Sequence, residues 1–338
     1  MSSTLTDLLR QAAGDEYPDL VTSVIPALLR GIGQTARALR RAHTVEQVGS
    51  ANTFGDAQLN VDVLAEGFFR AEAAGCAAIV TASSEEDSVE KSCSSSSSGE
   101  KQQGERKEEV YTIAFDPLDG SSIIAPNWSV GSIVGVWAGR TALHQDPRTR
   151  QVAAVLGVYG PRTTAIVAVR TPGREDNRAV CLEVGIDDSS SSETVITRAF
   201  ATGKDVKTRY FAPANLRAAS EDPRYMGLVA RYIRERYTLR YSGGLVPDVV
   251  HALVKAHGVY LSPVTGGSKA KLRRAYELLP VALVVECAGG EAVDPADGTR
   301  ILDRPMADLN ETSGLVCGNA AEVEIAKGFL LGEKKEGA

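Results

Sequence analysis

The octapeptide FDPLDGSS, residues 115–122, sets two acids, a proline, a glycine and two serines directly after an apolar run. Asp116 and Asp119 flank Pro117 and Leu118, so the chain turns. Two carboxylates and a turn carbonyl can then face one point, the all-oxygen setting that a hard cation such as Mg²⁺ takes. Gly120 removes a side chain where a ligand could approach the backbone, and Ser121 and Ser122 offer hydroxyl and N–H donors to a phosphate. The competing account is an ordinary Asp-Pro and Asp-Gly turn. Upstream, Glu85 and Glu86 are adjacent. On an extended segment they point opposite ways, one free to ligate a metal and the other to polarise a water, unless both are simply solvated. Downstream, Lys271, Arg273 and Glu277 fall within SKAKLRRAYELLP, which reads as a helix. Glu277 could join a metal and the two cations could bind phosphates; the plainer account of Arg273 and Glu277 is an i,i+4 surface ion pair worth about 0.3–0.5 kcal/mol.

The elements that must position these residues are legible as patterns. CAAIVTA (76–82) and VYTIAF (110–115) read as buried strands, and each runs straight into paired acids, a layout in which carboxylates converge beyond the strand ends of one sheet. A helix is expected over 20–41, from apolar residues at Leu20, Val24, Leu28, Ile32, Ala36 and Leu39, with Pro26 and the Gly31/Gly33 pair kinking or dividing it. A second is expected over 57–73, with Asp56 placed as its N-cap. Asp62 then flanks its buried face, and on its own reads as a solvated acid favoured by the helix dipole. SVGSIVGVWAG reads as a strand, VAAVLGVY and TAIVAV as a hairpin around GPRT, and VALVVECAGG as a further buried strand. Residues 87–109, serine-rich, charged and without apolar periodicity, are expected to be a flexible insertion, as is the run at 187–193.

With 338 residues, 43% of them hydrophobic, the chain can bury a large core in about two domains. The net charge of −6 disfavours nucleic-acid or anionic-membrane partners, so any phosphate site must be locally basic. No stretch is long and apolar enough to span a membrane, and MSSTLTDLLRQAAGDEYPD lacks the layout of a signal peptide. A cytoplasmic protein is expected, although a trimmed plastid transit peptide would leave no trace. Five scattered cysteines imply reduced thiols. The four histidines form no zinc-like pair, so carboxylates must hold any metal.

Taken in order, NTFGDAQLNVD, SSEE, FDPLDGSS, YGPRTT, FAPANLRA, YTLRYSGGLVPDV, KAKLRRAYE and ECAGG resemble the fructose-1,6-bisphosphatase superfamily, over about residues 5–332. YGPRTT, FAPANLRA and RYSGGLVPDV are most similar to its sedoheptulose-bisphosphatase branch. The resemblance implies a mixed α/β, layered sugar-phosphatase fold, with an N-terminal domain over 1–198 and a C-terminal domain over 199–338. It implies that Glu85, Asp116, Asp119, Glu277 and the Leu118 carbonyl hold divalent metal, two or three Mg²⁺ per site with Mn²⁺ as an alternative, and that Asp56 completes a further site. Asp62 and Glu86 match the acids that orient and deprotonate the attacking water. Ser121, Ser122 and Arg273, beside Gly120, match contacts to the departing phosphate. Asn215, Tyr241 and Lys271 match the other phosphate site, and Gly243, Gly244 and Leu245 lie beside the sugar. Arg240 matches an arginine that reaches a neighbouring subunit's site, which implies a homodimer or homotetramer.

The activity implied is metal-dependent hydrolysis of the 1-phosphate of sedoheptulose 1,7-bisphosphate by direct attack of water. Alternatives are a fructose or dual-specificity bisphosphatase, an inositol-phosphatase relative, or an inactive sugar-phosphate binder. The sequence departs from the family in three places. RRAHTVEQVGSANTFGD lacks the cysteine pair of plastid forms, so thioredoxin control is not expected. The AMP pocket of animal enzymes has no counterpart. Ser262 and Ala218 replace phosphate-binding tyrosines, which loosens the distal phosphate site.

Overall fold

The computed structural model of the protein describes residues 4–51, 57–93, 109–172, 179–187, 194–201 and 207–332. In chain order α1 (Leu5–Ala13), α2 (Ile25–Arg41), β1 (Gln47–Ala51), β2 (Ala57–Leu59) and α3 (Asn60–Gly75) precede the first large sheet. Its strands are β3 (Ile79–Ser84), β4 (Lys91–Ser92), β5 (Tyr111–Asp119), β6 (Val130–Ala138), β7 (Gln151–Tyr159), β8 (Thr163–Arg170), β9 (Ala179–Ile186) and β10 (Thr194–Ala199), with short α4 (Ser121–Ile124) and α5 (Pro147–Arg150) between them. Then come β11 (Tyr210–Pro213), α6 (Pro223–Arg234), β12 (Thr238–Leu239), α7 (Leu245–Val254), β13 (Val259–Ser262), β14 (Leu272–Arg273), α8 (Leu279–Cys287), β15 (Glu291–Val293), β16 (Thr312–Ser313), β17 (Leu315–Gly318) and α9 (Ala320–Leu330).

Two sheets organise these elements: eight strands in the order β10-β9-β8-β7-β6-β5-β3-β4, and five in the order β12-β11-β13-β17-β15. Three cores separate the layers. α1, α2 and α3 cover one face of the large sheet through Leu28, Ile32, Phe69, Phe115 and Val134. α7 and α8 fill the space between the sheets with Val246, Leu283 and Val284 against Ile133, Leu156 and Tyr260. α6 and α9 close the small sheet's far face, around Tyr225, Tyr232 and Val323. The result is a mixed fold of alternating helical and sheet layers. Because helices cover both faces of the large sheet, β5 and β7 read as near-continuous apolar runs. Strand alternation still sorts their side chains: Ile113 and Phe115 face the N-terminal helices, whereas Ala114 faces α8. Asp116 shares that parity, so it leaves the sheet on the α8 side.

Several expected elements are redrawn. VALVVECAGG is mostly helix, with α8 covering Leu279–Cys287. Buried on every side, it shows no period that separates it from a strand. SKAKLRRAYELLP is not one helix: Leu272 and Arg273 pair with Ser313 and Thr312, and a π turn begins only at Arg274. Arg274 holds that change of course, its backbone N–H donating to the Glu311 carbonyl and its buried guanidinium to the carbonyls of Ile301 and Arg304. The helix expected at 57–73 starts at Asn60, after β2, with Leu59 at its cap. Asp56 lies outside the described residues. α2 runs unbroken through Gly31 and Gly33, and the division falls at Pro26, which sits in its first turn after a π turn at Leu20–Val24. The GPRT hairpin is formed, with Tyr159 opposite Thr163. Of the insertion expected at 87–109, the near end is structured. Ser92 and Lys91 pair with Thr81 and Ala82, and Glu90 accepts from the Thr141 hydroxyl and the Ala142 N–H. Residues 94–108 and 188–193 lie outside the described residues.

Candidate active site

β5 carries two of the acids, and its geometry depends on Pro117. Asp116 pairs with Ile133 and Asp119 with Gly131, so three steps along β5 match two along β6, and the strand bulges at Pro117–Leu118. Proline has no N–H to give the ladder, so a bulge is its natural place in an interior strand. Asp116 accepts from the Leu118 N–H at 2.9 Å. Asp119 accepts from the N–H groups of Leu245 (3.1 Å) and Val246 (2.7 Å), the first two residues of α7. Its carboxylate thus sits on a helix N-terminus. That contact needs Gly131: a Cβ there would lie 2.5 Å from the Cβ of Val246. Neither Gly131 nor Val246 was among the residues expected at the site.

Glu277 arrives from the π turn before α8, held by the Arg273 N–H. One carboxylate oxygen from each of Asp116, Asp119 and Glu277 lies within 4.8 Å of the others, and all three residues are buried. Glu85 continues the β3–β5 ladder, its N–H donating to the Phe115 carbonyl at 3.0 Å, which brings it alongside Asp116. Arg70 of α3 steadies that corner, donating to the Ala82 carbonyl and to Ser84, with Glu66 as its ion-pair partner.

Burial raises all three acids above the usual carboxylate range. Asp116 is pushed up by desolvation and then by Glu85, Asp119 and Glu277, and Glu277 by desolvation and then by Glu85. Asp119 is raised to about 6 by desolvation, less far because two backbone donors favour its charge. Nearby positive charge is scarce. The Arg273 guanidinium reaches Glu85 at 3.5 Å and the Lys271 carbonyl at 2.6 Å. Clustered buried carboxylates resist joint ionisation unless a cation joins them. An oxygen-only set of this kind fits a hard divalent ion.

Asp62 is buried in the first turn of α3, where its Oδ2 accepts from the Leu59 N–H at 3.0 Å. Among the described residues no partner meets the hydrogen-bond geometry at its buried Oδ1, though the Ser121 hydroxyl lies near enough to favour the charged carboxylate. Desolvation raises its pKa to about 7, opposed by the Leu59 bond and reinforced by Glu86. Glu86 is bonded by the Gln58 amide, and the two acids therefore share one corner.

Beside the acids, Gly120 takes φ +99° at the start of α4, a conformation that favours glycine, and exposes Ser121 and Ser122. The Ser121 hydroxyl donates to the Leu118 carbonyl at 3.3 Å. Gly243 and Gly244 lead into Leu245 of α7, and Asp248 accepts from the N–H groups of Ser242 (2.8 Å) and Gly243 (3.4 Å). Sequence analysis missed Asp248, whose spacing from the glycine pair marks a helix-start acid. Farther out, Tyr241, Arg240 and Lys271 are exposed, and Arg217, also missed, lies near enough to Tyr241 to oppose the rise of its pKa. Asn215 is occupied, donating to the Pro263 carbonyl and accepting from Ser268, both at 2.7 Å. Ala218 is fully buried in the third core, so its replacement of a tyrosine leaves no opening at the surface there.

Residues 6–177 match the family model "Fructose-1-6-bisphosphatase, N-terminal domain" and residues 205–330 match "Fructose-1-6-bisphosphatase, C-terminal domain". The chain belongs to the fructose-1,6-bisphosphatase family. It is 33% identical to a chloroplastic sedoheptulose-1,7-bisphosphatase of Triticum aestivum, over 96% of this chain and 79% of that protein. It is 30% identical to a class 1 fructose-1,6-bisphosphatase of Syntrophotalea carbinolica, over 85% and 82% of the two chains. A crystal structure from Toxoplasma gondii assigned as a sedoheptulose-1,7 bisphosphatase superimposes with a TM-score of 0.84 at 36% identity, covering 98% of this chain and 99% of that one. Members of the fructose-1,6-bisphosphatase family hydrolyse sugar phosphates, and this chain is a phosphoric monoester hydrolase of that class. Among the described residues no helix is long and apolar enough to cross a membrane.

Proposed function

We propose that this enzyme removes the 1-phosphate of sedoheptulose 1,7-bisphosphate, using Mg²⁺ held by Glu85, Asp116, Asp119, Glu277 and the Leu118 carbonyl. The observation that carries the reading is the trio of buried carboxylates within 4.8 Å of one another, whose burial and mutual repulsion disfavour joint charge unless a cation joins them. When bound, divalent metal neutralises phosphoryl oxygens and acidifies a water, supplying what acid–base help of about 10²–10⁴-fold cannot in so slow a hydrolysis. The chain's own residues do the rest. Asp62, buried at the edge of the acidic cluster and with a pKa of about 7, takes the proton of the attacking water at neutral pH. Glu86, tethered by Gln58, orients that water. Ser121, Ser122 and Arg273 hold the departing phosphate, and the Gly243–Leu245 turn, fixed by Asp248, lies along the sugar.

Asn215, Tyr241 and Lys271 bind the far phosphate, and Arg240 serves a neighbouring subunit in a homodimer or homotetramer. The division into halves falls near residue 198, at the end of β10 and before the small sheet. The seven-carbon substrate draws support from the sedoheptulose relatives. Fructose 1,6-bisphosphate is the second reading, favoured by the class 1 relative.

The test is phosphate release from both bisphosphates side by side, with Mg²⁺ and with excess EDTA. A strong preference for the seven-carbon sugar, abolished by chelation, supports the proposal. Equal or reversed preference transfers the assignment to a dual or fructose enzyme.

A further inference from the structure

At the β5 bulge Pro117 donates nothing to the ladder. Ser132 lies on β6 between Gly131 and Ile133, the partners of Asp119 and Asp116, and so faces the bulge. Its hydroxyl donates to the Pro117 carbonyl at 2.5 Å. It also lies 2.7 Å from the Tyr159 hydroxyl. A serine has one proton to give, and here it goes to the carbonyl, so Tyr159 is the donor in the second bond. Behind Tyr159 stands Thr35 of α2, whose own hydroxyl donates to the Gly31 carbonyl at 3.0 Å. Ser132 is fully buried, Thr35 is 1% exposed and Tyr159 8%. Two buried hydroxyls, on β7 and β6, thus run in one direction and end on the peptide between the two acids of the turn, with Thr35 packed behind them.

We propose that Ser132 and Tyr159 are positioning residues: the relay from Tyr159 through Ser132 to the Pro117 carbonyl fixes the bulge, so that Asp116 and Asp119 meet Glu277 at one cation. The inference rests on the metal reading of that trio. Among the described residues, the Ser132 hydroxyl is the side-chain donor to the Pro117 carbonyl. Losing Ser132 would take from that buried carbonyl its side-chain donor and from the Tyr159 hydroxyl the acceptor of its proton, and the bulge would relax toward whatever geometry replaces them. Both residues lie outside the metal-ligating set and act only through the strand.

The test is a Mn²⁺ titration of the full chain, read by electron paramagnetic resonance, beside a thermal melt, for Ser132→Ala, Ser132→Thr and Tyr159→Phe. Outer-shell partners of metal ligands typically contribute about 10–100-fold in affinity. Ser132→Ala is expected to raise the Mn²⁺ dissociation constant by about that factor, Ser132→Thr to restore it, and Tyr159→Phe to fall between. A lower melting temperature with unchanged Mn²⁺ affinity in Ser132→Ala would reduce the pair to packing and overturn the proposal. So would a Thr variant as weak as Ala. If Ser132→Ala does not fold, Tyr159→Phe decides by the same comparison. A parent protein that binds Mn²⁺ yet releases phosphate from neither sugar overturns the substrate reading and leaves the relay intact.

Discussion

Asp116, Asp119 and Glu277 are buried and each is fixed by a backbone N–H, whereas Arg240, Tyr241 and Lys271 stand in solvent, the Arg240 guanidinium given to the carbonyl of its neighbour Leu239. On the proposed reading these are two ends of one site, and they are built by different means. The acidic end is set by a bulge, a helix start and a π turn, all anchored in cores, so its geometry is in place before any ligand arrives. Such preorganisation is what stabilisation of developing charge requires. The basic end rests on long side chains whose ordering waits for the ligand, at a cost in rotamer freedom for each. On that reading, reaction type follows from the first end and the length of sugar accepted from the second.

Changes at the two ends should separate in kinetics. The largest effect is expected for Asp119→Asn, which keeps an acceptor for the α7 N-terminus but removes charge from the trio. Turnover should fall by about 10²–10³-fold or more, with the fold retained by circular dichroism; a variant as fast as the parent at equal Mg²⁺ would dissolve the contrast. Next is Asp62→Asn, expected to lose about 10²–10⁴-fold. In the parent, kcat should climb as pH rises through about 7, where Asp62 gives up its proton, and this limb should vanish in the variant. At the basic end, Lys271→Ala should raise KM by about tenfold or more with kcat nearly held, the scale of a hydrogen bond to a charged group. A fall in kcat instead would place Lys271 with the reacting phosphate.

Two smaller effects sharpen the contrast. Asp119 and Asp248 are each raised to about 6 and Asp62 to about 7, above the ordinary value near 4. The folded metal-free protein therefore keeps protons that the unfolded chain releases. This stabilisation is full below about pH 4 and is lost as pH rises through 6 to 7. In EDTA the melting temperature should fall across that window, and excess Mg²⁺ should flatten the fall, because it favours the ionised trio. A pH-independent melt in EDTA would count against a charge cluster. Removing residues 95–104, which spares Ser92 and Cys93 of the β4 pairing, should leave kcat within about twofold and shift stability by less than about 1 kcal/mol, the scale on which loop length acts.

The strands that end in acids were legible because a strand followed by paired carboxylates is a local pattern. Asp116 and Asp119 are brought together at the point the FDPLDGSS turn implied. Glu277 was visible as an acid, but its route was not: SKAKLRRAYELLP has helical spacing, and the distant partners Thr312 and Ser313 draw Leu272 and Arg273 into a strand while Glu311, Ile301 and Arg304 hold Arg274. The apolar run of α8 was misread because burial on all sides erases periodicity. Asp62, dull as a helix-start acid, matters for its burial, which depends on packing rather than on neighbours in the chain. Gly131 and Ser132 give no local signal at all; their importance lies in what stands across the sheet from them.

The placement of α8 also bears on how the protein comes apart. Its residues belong by sequence to the C-terminal half, yet it packs on β6, β7, β8 and β9 of the large sheet as well as on β15 and β17 of the small one. Withdrawing it would uncover both sheets at once. The two halves therefore share their most protected amides, and hydrogen exchange in α8 and in the central strands of the large sheet should report a single opening event rather than two.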